Sequence, residues 1–253
     1  MNADAILSAL DLPTSSRVHQ RVPKKLLLDN GAPTAADKRT INDGIEELLW
    51  LAALKPTTIG VPEYRDEVRE YLEIAVLRLT LRATGKATRL MELIHRAVPY
   101  PVFLLTSQGE RLALSLAHKR WAQNEVGKVV LDGGVVTVSL PDAATTANAV
   151  SAFTQALSLT RQPQTTLFGL YLGWVDTVHA LLAARLTGTF KTADSPEHAA
   201  ARRHALQECE RLEFEAVRLH SLAAKENQLS RHVELNLALK RIQAQLITAR
   251  QHL

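Results

Sequence analysis

The stretch VFLLTSQGERLALSLA, residues 102–117, decides the fold. Val102–Thr106 and Leu112–Ala117 are strand-like runs, and Ser107–Glu110 between them has the polar residues and glycine of a tight turn. Strands joined so closely pair antiparallel, because a parallel pair needs a crossover of about a dozen residues or more. A second hairpin is expected directly afterwards, Lys128–Leu131 and Val135–Leu140 joined through Asp132-Gly133-Gly134. Upstream, Tyr71–Arg82 (YLEIAVLRLTLR) alternates in two phases, which predicts a strand with a bulge. Ala87–Val98 places Leu90, Leu93, Ile94 and Ala97 on one helical face and stops before Pro99. Arg21–Leu28 is a candidate strand and Asp29-Asn30-Gly31 a turn. The segment Thr34–Leu54 opens helically from a Thr34 N-cap. Its second half, Ile45–Leu54, reads as helix or strand, because Gly44 breaks the helical pattern. The sum is an α+β protein, an antiparallel sheet with a helix covering its core, and not a doubly wound nucleotide-binding sheet.

Charge divides the 253 residues into three parts. Residues 1–140 hold 18 Lys/Arg against 16 Asp/Glu and nearly all the strand-like sequence. Residues 141–194 hold three of each and read as a helical connector, Asp142–Leu159 and Thr165–Leu186. Residues 195–253 open on Ser195-Pro196-Glu197, an N-cap, an N1 proline and an acidic first turn, then run without glycine or further proline. That length predicts a coiled coil or helical hairpin. Leu235, Leu239, Ile242, Leu246 and Leu253 recur in steps of about four and three and form the expected partner-binding or oligomer-forming stripe. Leu222, Leu229 and Val233 are out of phase with it, which places a stutter or bend near Lys225–Glu234.

Composition, 46% apolar and 22% charged, is globular. No apolar run is read as a bilayer span, and the N-terminal MNADAILSALDLP has no basic, long-apolar leader pattern, so a cytoplasmic protein is expected. The single cysteine, Cys209, excludes an intrachain disulfide, and no metal or cofactor is expected. There is no P-loop, dinucleotide glycine fingerprint, HExxH or GxSxG. A restriction-type nuclease strand needs an acid-x-lysine triplet beside a second acid. Glu70 and Glu73 stand near the start of Tyr71–Arg82, but Ala75, two after Glu73, occupies the place of the lysine and no lysine follows on the strand. Trp50 and Trp174 lie in apolar segments and are expected in the core.

The net charge of +4 is a mild hint of an acidic partner. Its cations gather at the ends of elements: Arg21, Lys24 and Lys25 around Pro23, His95 and Arg96 before Pro99-Tyr100-Pro101, and His118, Lys119 and Arg120 before Trp121. If those ends converge they make a phosphate-binding surface, with Tyr100 and Trp121 available for stacking. Cations also favour helix C-termini without any ligand, and His95-Arg96 stand at one.

Several strings carry a resemblance: RVPKKLL (21–27), LKPTTIGVP (54–62), YLEIAVLRL (71–79), LIHRAVPYPVFLL (93–105), LSLAHKR (114–120) and KENQLSRHVELNLALKRI (225–242). They resemble an uncharacterised family of bacterial proteins, a domain of unknown function with IHRAIPYP-type and KEKQFNRKVELN-type motifs. Asn227-Gln228-Leu229-Ser230 departs from the second motif. The family resemblance implies an accessory subunit of a DNA-processing system, since members tend to be encoded beside helicases and DNA methyltransferases, as in restriction–modification or antiphage defence. It supplies no catalytic residue.

The expectation is therefore a non-catalytic adaptor. Arg21, Lys24, Lys25, His95, Arg96, Tyr100, His118, Lys119 and Arg120 would face nucleic acid, and the tail would bind another subunit or itself. The alternatives are a metal-free nuclease or phosphodiesterase using His95 and His118 as acid and base, and a purely structural oligomerisation module.

Overall fold

The structure, a computed structural model, describes residues 2–123, 125, 127–140 and 145–253. In chain order the elements are α1 (Ala3–Ala9), β1 (Arg17–Arg21), α2 (Lys24–Gly31), α3 (Ala35–Gly44), β2 (Ile45–Leu54), α4 (Pro56–Ile59), β3 (Tyr64–Arg65), β4 (Glu70–Tyr71), β5 (Ile74–Leu81), α5 (Ala87–Ala97), β6 (Val102–Gln108), β7 (Arg111–Trp121), β8 (Val129–Leu140), α6 (Ala147–Ala156), α7 (Leu167–Thr187), α8 (Pro196–Ala223) and α9 (Leu229–Arg250). The chain divides into two compact units, Met1–Ala143 with Val150–Val178, and Ala144–Ala149 with His179–Leu253.

The first unit is built on a six-stranded sheet in the order β1-β2-β5-β6-β7-β8. Every neighbouring pair is antiparallel except β5–β6, which run parallel because α5 carries the chain back across the sheet. The sheet is covered on both faces, one more than the sequence implied. Leu27 of α2, Ile41 of α3 and Leu90, Leu93 and Ile94 of α5 pack with Leu48, Leu77, Leu79, Val102 and Leu104 into one core. On the other face Phe103, next along β6, meets Trp174 of α7 edge-on at 5.1 Å. Adjacent strand residues point to opposite faces, so β6 serves both layers.

Thr34–Leu54 resolves into both readings. The Thr34 hydroxyl accepts from the Asp37 amide and caps α3, and the chain passes at Gly44 directly into β2. The strand expected at Arg21–Leu28 is corrected. Pairing stops at β1, Pro23 has no N–H to continue it, and Lys24–Gly31 is helical. Leu27 and Gly31, one turn apart, are its buried face. Gly31 allows the approach to α5, since a Cβ there would lie 2.5 Å from that of Ala97.

The expected hairpin at Asp132-Gly133-Gly134 is also corrected. Val129–Leu140 is one strand paired along β7, with Leu116 opposite Val136 and His118 opposite Asp132. Residues 133–135 therefore bulge against Ala117 alone, and Gly133 supplies the positive φ of 83°. The chain actually reverses between β7 and β8, where the Ala122 amide donates to the Lys128 carbonyl at 2.8 Å. The connector helix expected over Asp142–Leu159 is found as α6; residues 142–144 of that expectation lie outside the described residues.

Helix α7 is long and apolar enough to cross a membrane by length and composition, a property the sequence reading did not assign. Leu167, Leu170, Tyr171, Trp174 and Val178 on it are buried, as in a core helix of the domain.

In the second unit α8 and α9 form a helical hairpin that turns at residues 224–228, where the apolar phase breaks. Cys209, Leu212 and Ala249 make its small core, with Ile242, Leu246 and Leu253 packed against them. Leu239 is buried and Leu235 half-buried. The stripe expected to bind a partner is thus largely used inside the hairpin. A different apolar set remains exposed: Phe214 and Val217 on α8, and Leu229, Val233 and Leu237 at successive turns of α9.

Candidate nucleic-acid interface

Three of the expected surface residues are not where phosphate contact needs them. His95 is fully buried on α5, its Nε2 3.0 Å from the Ser115 hydroxyl, and burial together with the Lys119 charge pushes its pKa down to about 3. Lys119 is 1% exposed, and burial lowers its ammonium to about 7. Its position follows from the sequence of α5. The helical donor for the His95 carbonyl would be the amide of residue 99, but that residue is proline. The Lys119 ammonium reaches from β7 to fill the vacancy, donating to the carbonyls of His95 and, at 2.7 Å, Val98.

His118, next along the strand, points to the opposite face. Its Nδ1 lies 2.7 Å from the Tyr71 hydroxyl, and its ring packs against Phe168 and Tyr171 of α7. His95 and His118 are thus separated by the sheet and share no site. This removes the geometry that a two-histidine acid–base reaction requires. Glu73 is buried against Lys55 at 3.0 Å and Glu70 pairs with Arg65. Among the described residues no three His, Cys, Asp or Glu side chains come together as metal ligands.

The other expected residues converge around α2. A cleft of about 930 Å³ is walled by Thr88, Glu92 and Arg96, which follow one another at single turns of α5, by Arg120 and Lys128, and by the Val129–Thr137 part of β8. Its far wall is the end of α2, Asp29–Gly31. Asn30 also lines a second cavity of about 250 Å³, with Arg21, Leu26, Trp50 and Tyr100. Arg21 and Pro23 continue from there into a groove of about 350 Å³ that contains Lys24, Glu46 and Glu47. Five of the expected residues, Arg21, Lys24, Arg96, Tyr100 and Arg120, therefore line adjoining cavities. Lys25 is exposed on α2 but lines none of them.

The cations here are partly engaged. Arg96 pairs with Glu92 at 2.6 Å, and Arg120 shares Asp132 with Arg69, at 3.7 and 3.2 Å. Lys24 donates to the Asn42 carbonyl at 2.9 Å, and Arg82 donates to those of Asn42 and Asp43, so both close the C-terminal end of α3. Partial burial and the neighbouring Arg82 and Arg21 charges hold the Lys24 ammonium below its usual value. Such exposed pairs are each worth only about 0–1 kcal/mol, so a phosphate can compete for the guanidinium. Sequence reading missed Lys128, whose strand-end position gave no sign of the cleft, and Trp50, which was expected in the core but is half-buried at a cavity wall.

The chain thus combines a mixed α+β domain, with cationic cavities around one short helix, and a helical hairpin. No curated protein and no solved structure matches the chain. It belongs to the family described as "Domain of unknown function (DUF4391)", whose family model matches residues 10–246.

Proposed function

We propose that this protein is a non-catalytic accessory subunit of a bacterial DNA-modification or antiphage defence complex, working in the cytoplasm beside a helicase or DNA methyltransferase. Its α+β domain contacts nucleic acid through the cavities around α2, and its hairpin holds another subunit. One observation carries the nucleic-acid part. Arg21, Lys24, Arg96 and Arg120 come from separate parts of the chain, yet line adjoining cavities together with Tyr100. Phosphates are held by gathered cations, and contact made through them is weak and largely sequence-independent. The exposed Leu229, Val233 and Leu237 support the assembly role, since apolar residues at successive turns of a helix suit burial against a partner.

The test is a fluorescence titration of short duplex and single-stranded DNA at two salt concentrations. Wild type is expected to bind, with log affinity falling by roughly 0.7–0.9 per phosphate contact for each log unit of salt. Alanine at Arg21, Lys24, Arg96 and Arg120 together weakens binding and flattens that slope. Absence of wild-type binding at low salt, or an unchanged slope in the variant, leaves the purely structural module. For the hairpin, serine at Leu229, Val233 and Leu237 is expected to abolish co-purification with the partner subunit. Intact co-purification and unchanged mass by light scattering would reject the assembly role.

A further inference from the structure

The cavity of about 250 Å³ beside α2 differs in kind from the charged cleft. Its walls are apolar, with Leu27, Leu77 and Val98 at the back and Pro23 and Pro99 at the sides, and Leu26 at 52% exposure lies at its mouth. Two aromatic rings line it, Trp50 of β2 and Tyr100 of the turn after α5. Elsewhere in the domain, Tyr64, Tyr71, Phe103, Phe168, Tyr171 and Trp174 each lie against another ring. Among the described residues Trp50 and Tyr100 contact no other ring, although both face one space. The Trp50 indole is held in place, its Nε1 donating to the Ala52 carbonyl at 2.9 Å. The Tyr100 hydroxyl makes no hydrogen bond among the described residues. An indole fixed by its hydrogen bond and a phenol that makes none among the described residues thus border a pocket smaller than the roughly 300–1,000 Å³ that takes drug-sized ligands, a size for a single ring system.

What lies at the rim selects among flat ligands. Arg21 is exposed, makes no ion pair among the described residues, and lines both this pocket and the adjoining groove that holds Lys24. Arg82 adds a third positive charge beside Lys24. Glu46 and Glu47 line the same groove, and Arg21 is the cation common to groove and pocket. An aromatic ring in the pocket would therefore carry its negative charge a short distance outside it, across Arg21. A nucleotide within a single strand has that arrangement: a base with an unpaired π-face, linked through its sugar to phosphates. In duplex DNA the base is stacked and is not free to enter.

We propose that the Trp50–Tyr100 pocket receives one unstacked nucleobase of a single strand, with the adjacent phosphate on Arg21 and Lys24. This rests on the nucleic-acid reading above and adds single-strand preference to it. Gln20 and Asn30 are the amide side chains of its lining, and the Asn30 amide is turned to the Leu26 carbonyl at 3.0 Å, so no one base is selected.

The experiment compares a ten-nucleotide oligothymidylate with an abasic strand of equal length and charge, at low salt. Stacking of one base is worth about 1–3 kcal/mol, so wild type binds the thymidylate roughly tenfold more tightly. Trp50→Leu and Tyr100→Leu bind both strands with the affinity wild type shows for the abasic one, and their salt slopes are unchanged. Tyr100→Leu lies on a half-buried turn, and circular dichroism checks that both variants fold. Equal wild-type affinity for the two strands overturns the base pocket while the phosphate surface stands. Binding of neither strand overturns both. A thymidylate preference that survives in both variants places the base elsewhere and also overturns the proposal.

Discussion

Replacing Lys119 by methionine lowers the stability of the α+β domain by about 3 kcal/mol, because it leaves a buried and a partly buried carbonyl without this donor at about 1–3 kcal/mol each. Methionine keeps the apolar stem and approximate length of lysine, so lost packing contributes little. For a chain of this size the change corresponds to a fall of roughly 6–12 °C in the unfolding midpoint. The pH dependence provides a second signature. Burial lowers the Lys119 pKa to about 7 in the folded protein, against an ordinary lysine value of 10.5. Between those values the unfolded chain binds the proton and the folded one does not, so stability rises with pH. The penalty of burying the charge is fully present below pH 7 and relieved as pH approaches 10, where the neutral amine still has two N–H groups for the two carbonyls. The advantage of wild type over Lys119→Met, measured by urea unfolding, is therefore larger at pH 9 than at pH 6. An advantage that shrinks with rising pH would show that the ammonium, and not the amine, is the favoured form inside.

Tyr171→Phe removes one hydroxyl and is expected to cost about 2–3 kcal/mol. The paired register of β6 and β7 ends at Leu104 opposite Ser115, so Val102 and Ala117, the next facing residues, do not pair directly. The Tyr171 hydroxyl takes over. It accepts from the Ala117 amide at 2.8 Å and lies 2.8 Å from the Val102 carbonyl and 3.1 Å from that of Ala117. Phenylalanine fills the same space and leaves the buried amide unpaired, which sets the cost at that of an orphaned donor with no cavity term. Hydrogen exchange should localise the effect, with protection of the Ala117 amide lost well before that of Leu104 or Leu79 at the sheet centre. A stability change below about 0.5 kcal/mol, or unaltered exchange at Ala117, would contradict this account.

These two residues also show where the sequence was legible. The strand-like runs Val102–Thr106 and Leu112–Ala117 around a tight turn are a local property, and both strands lie where they place them. The helix at Ala87–Val98 follows from its apolar face and the proline behind it. Asp132-Gly133-Gly134 misled because the same residues serve a hairpin turn and a bulge, and only the partner strand decides between them. Lys24-Lys25 was placed on a strand because Pro23 was not read as its end. At the site, the exposed Arg21 and Arg96 and the half-buried Arg120 were recognisable as cations at element ends. His95 and Lys119 look the same in sequence. Their burial follows from a long-range fact, the strand β7 crossing beneath the C-terminus of α5, which no spacing within 95–119 reveals. Trp50 was assigned to the core by its apolar neighbours, whereas the cavity beside it depends on how α2 packs.

The position of β8 at an open edge of the sheet has a consequence for the life of the protein before and after folding. Its second half, VVTVSL at 135–140, is uncharged, β-branched and free of proline, the composition of a segment that stacks into fibrils when left unpaired. In the native state β7 occupies one side of this segment and the kink at Gly133 prevents a long straight template. The anchors of β7, Lys119 to α5 and Tyr171 to the end of β6, consequently guard solubility as well as stability. A chain that loses either one presents an adhesive strand to its neighbours, and loss shows as deposited protein before it shows as a failed contact with nucleic acid.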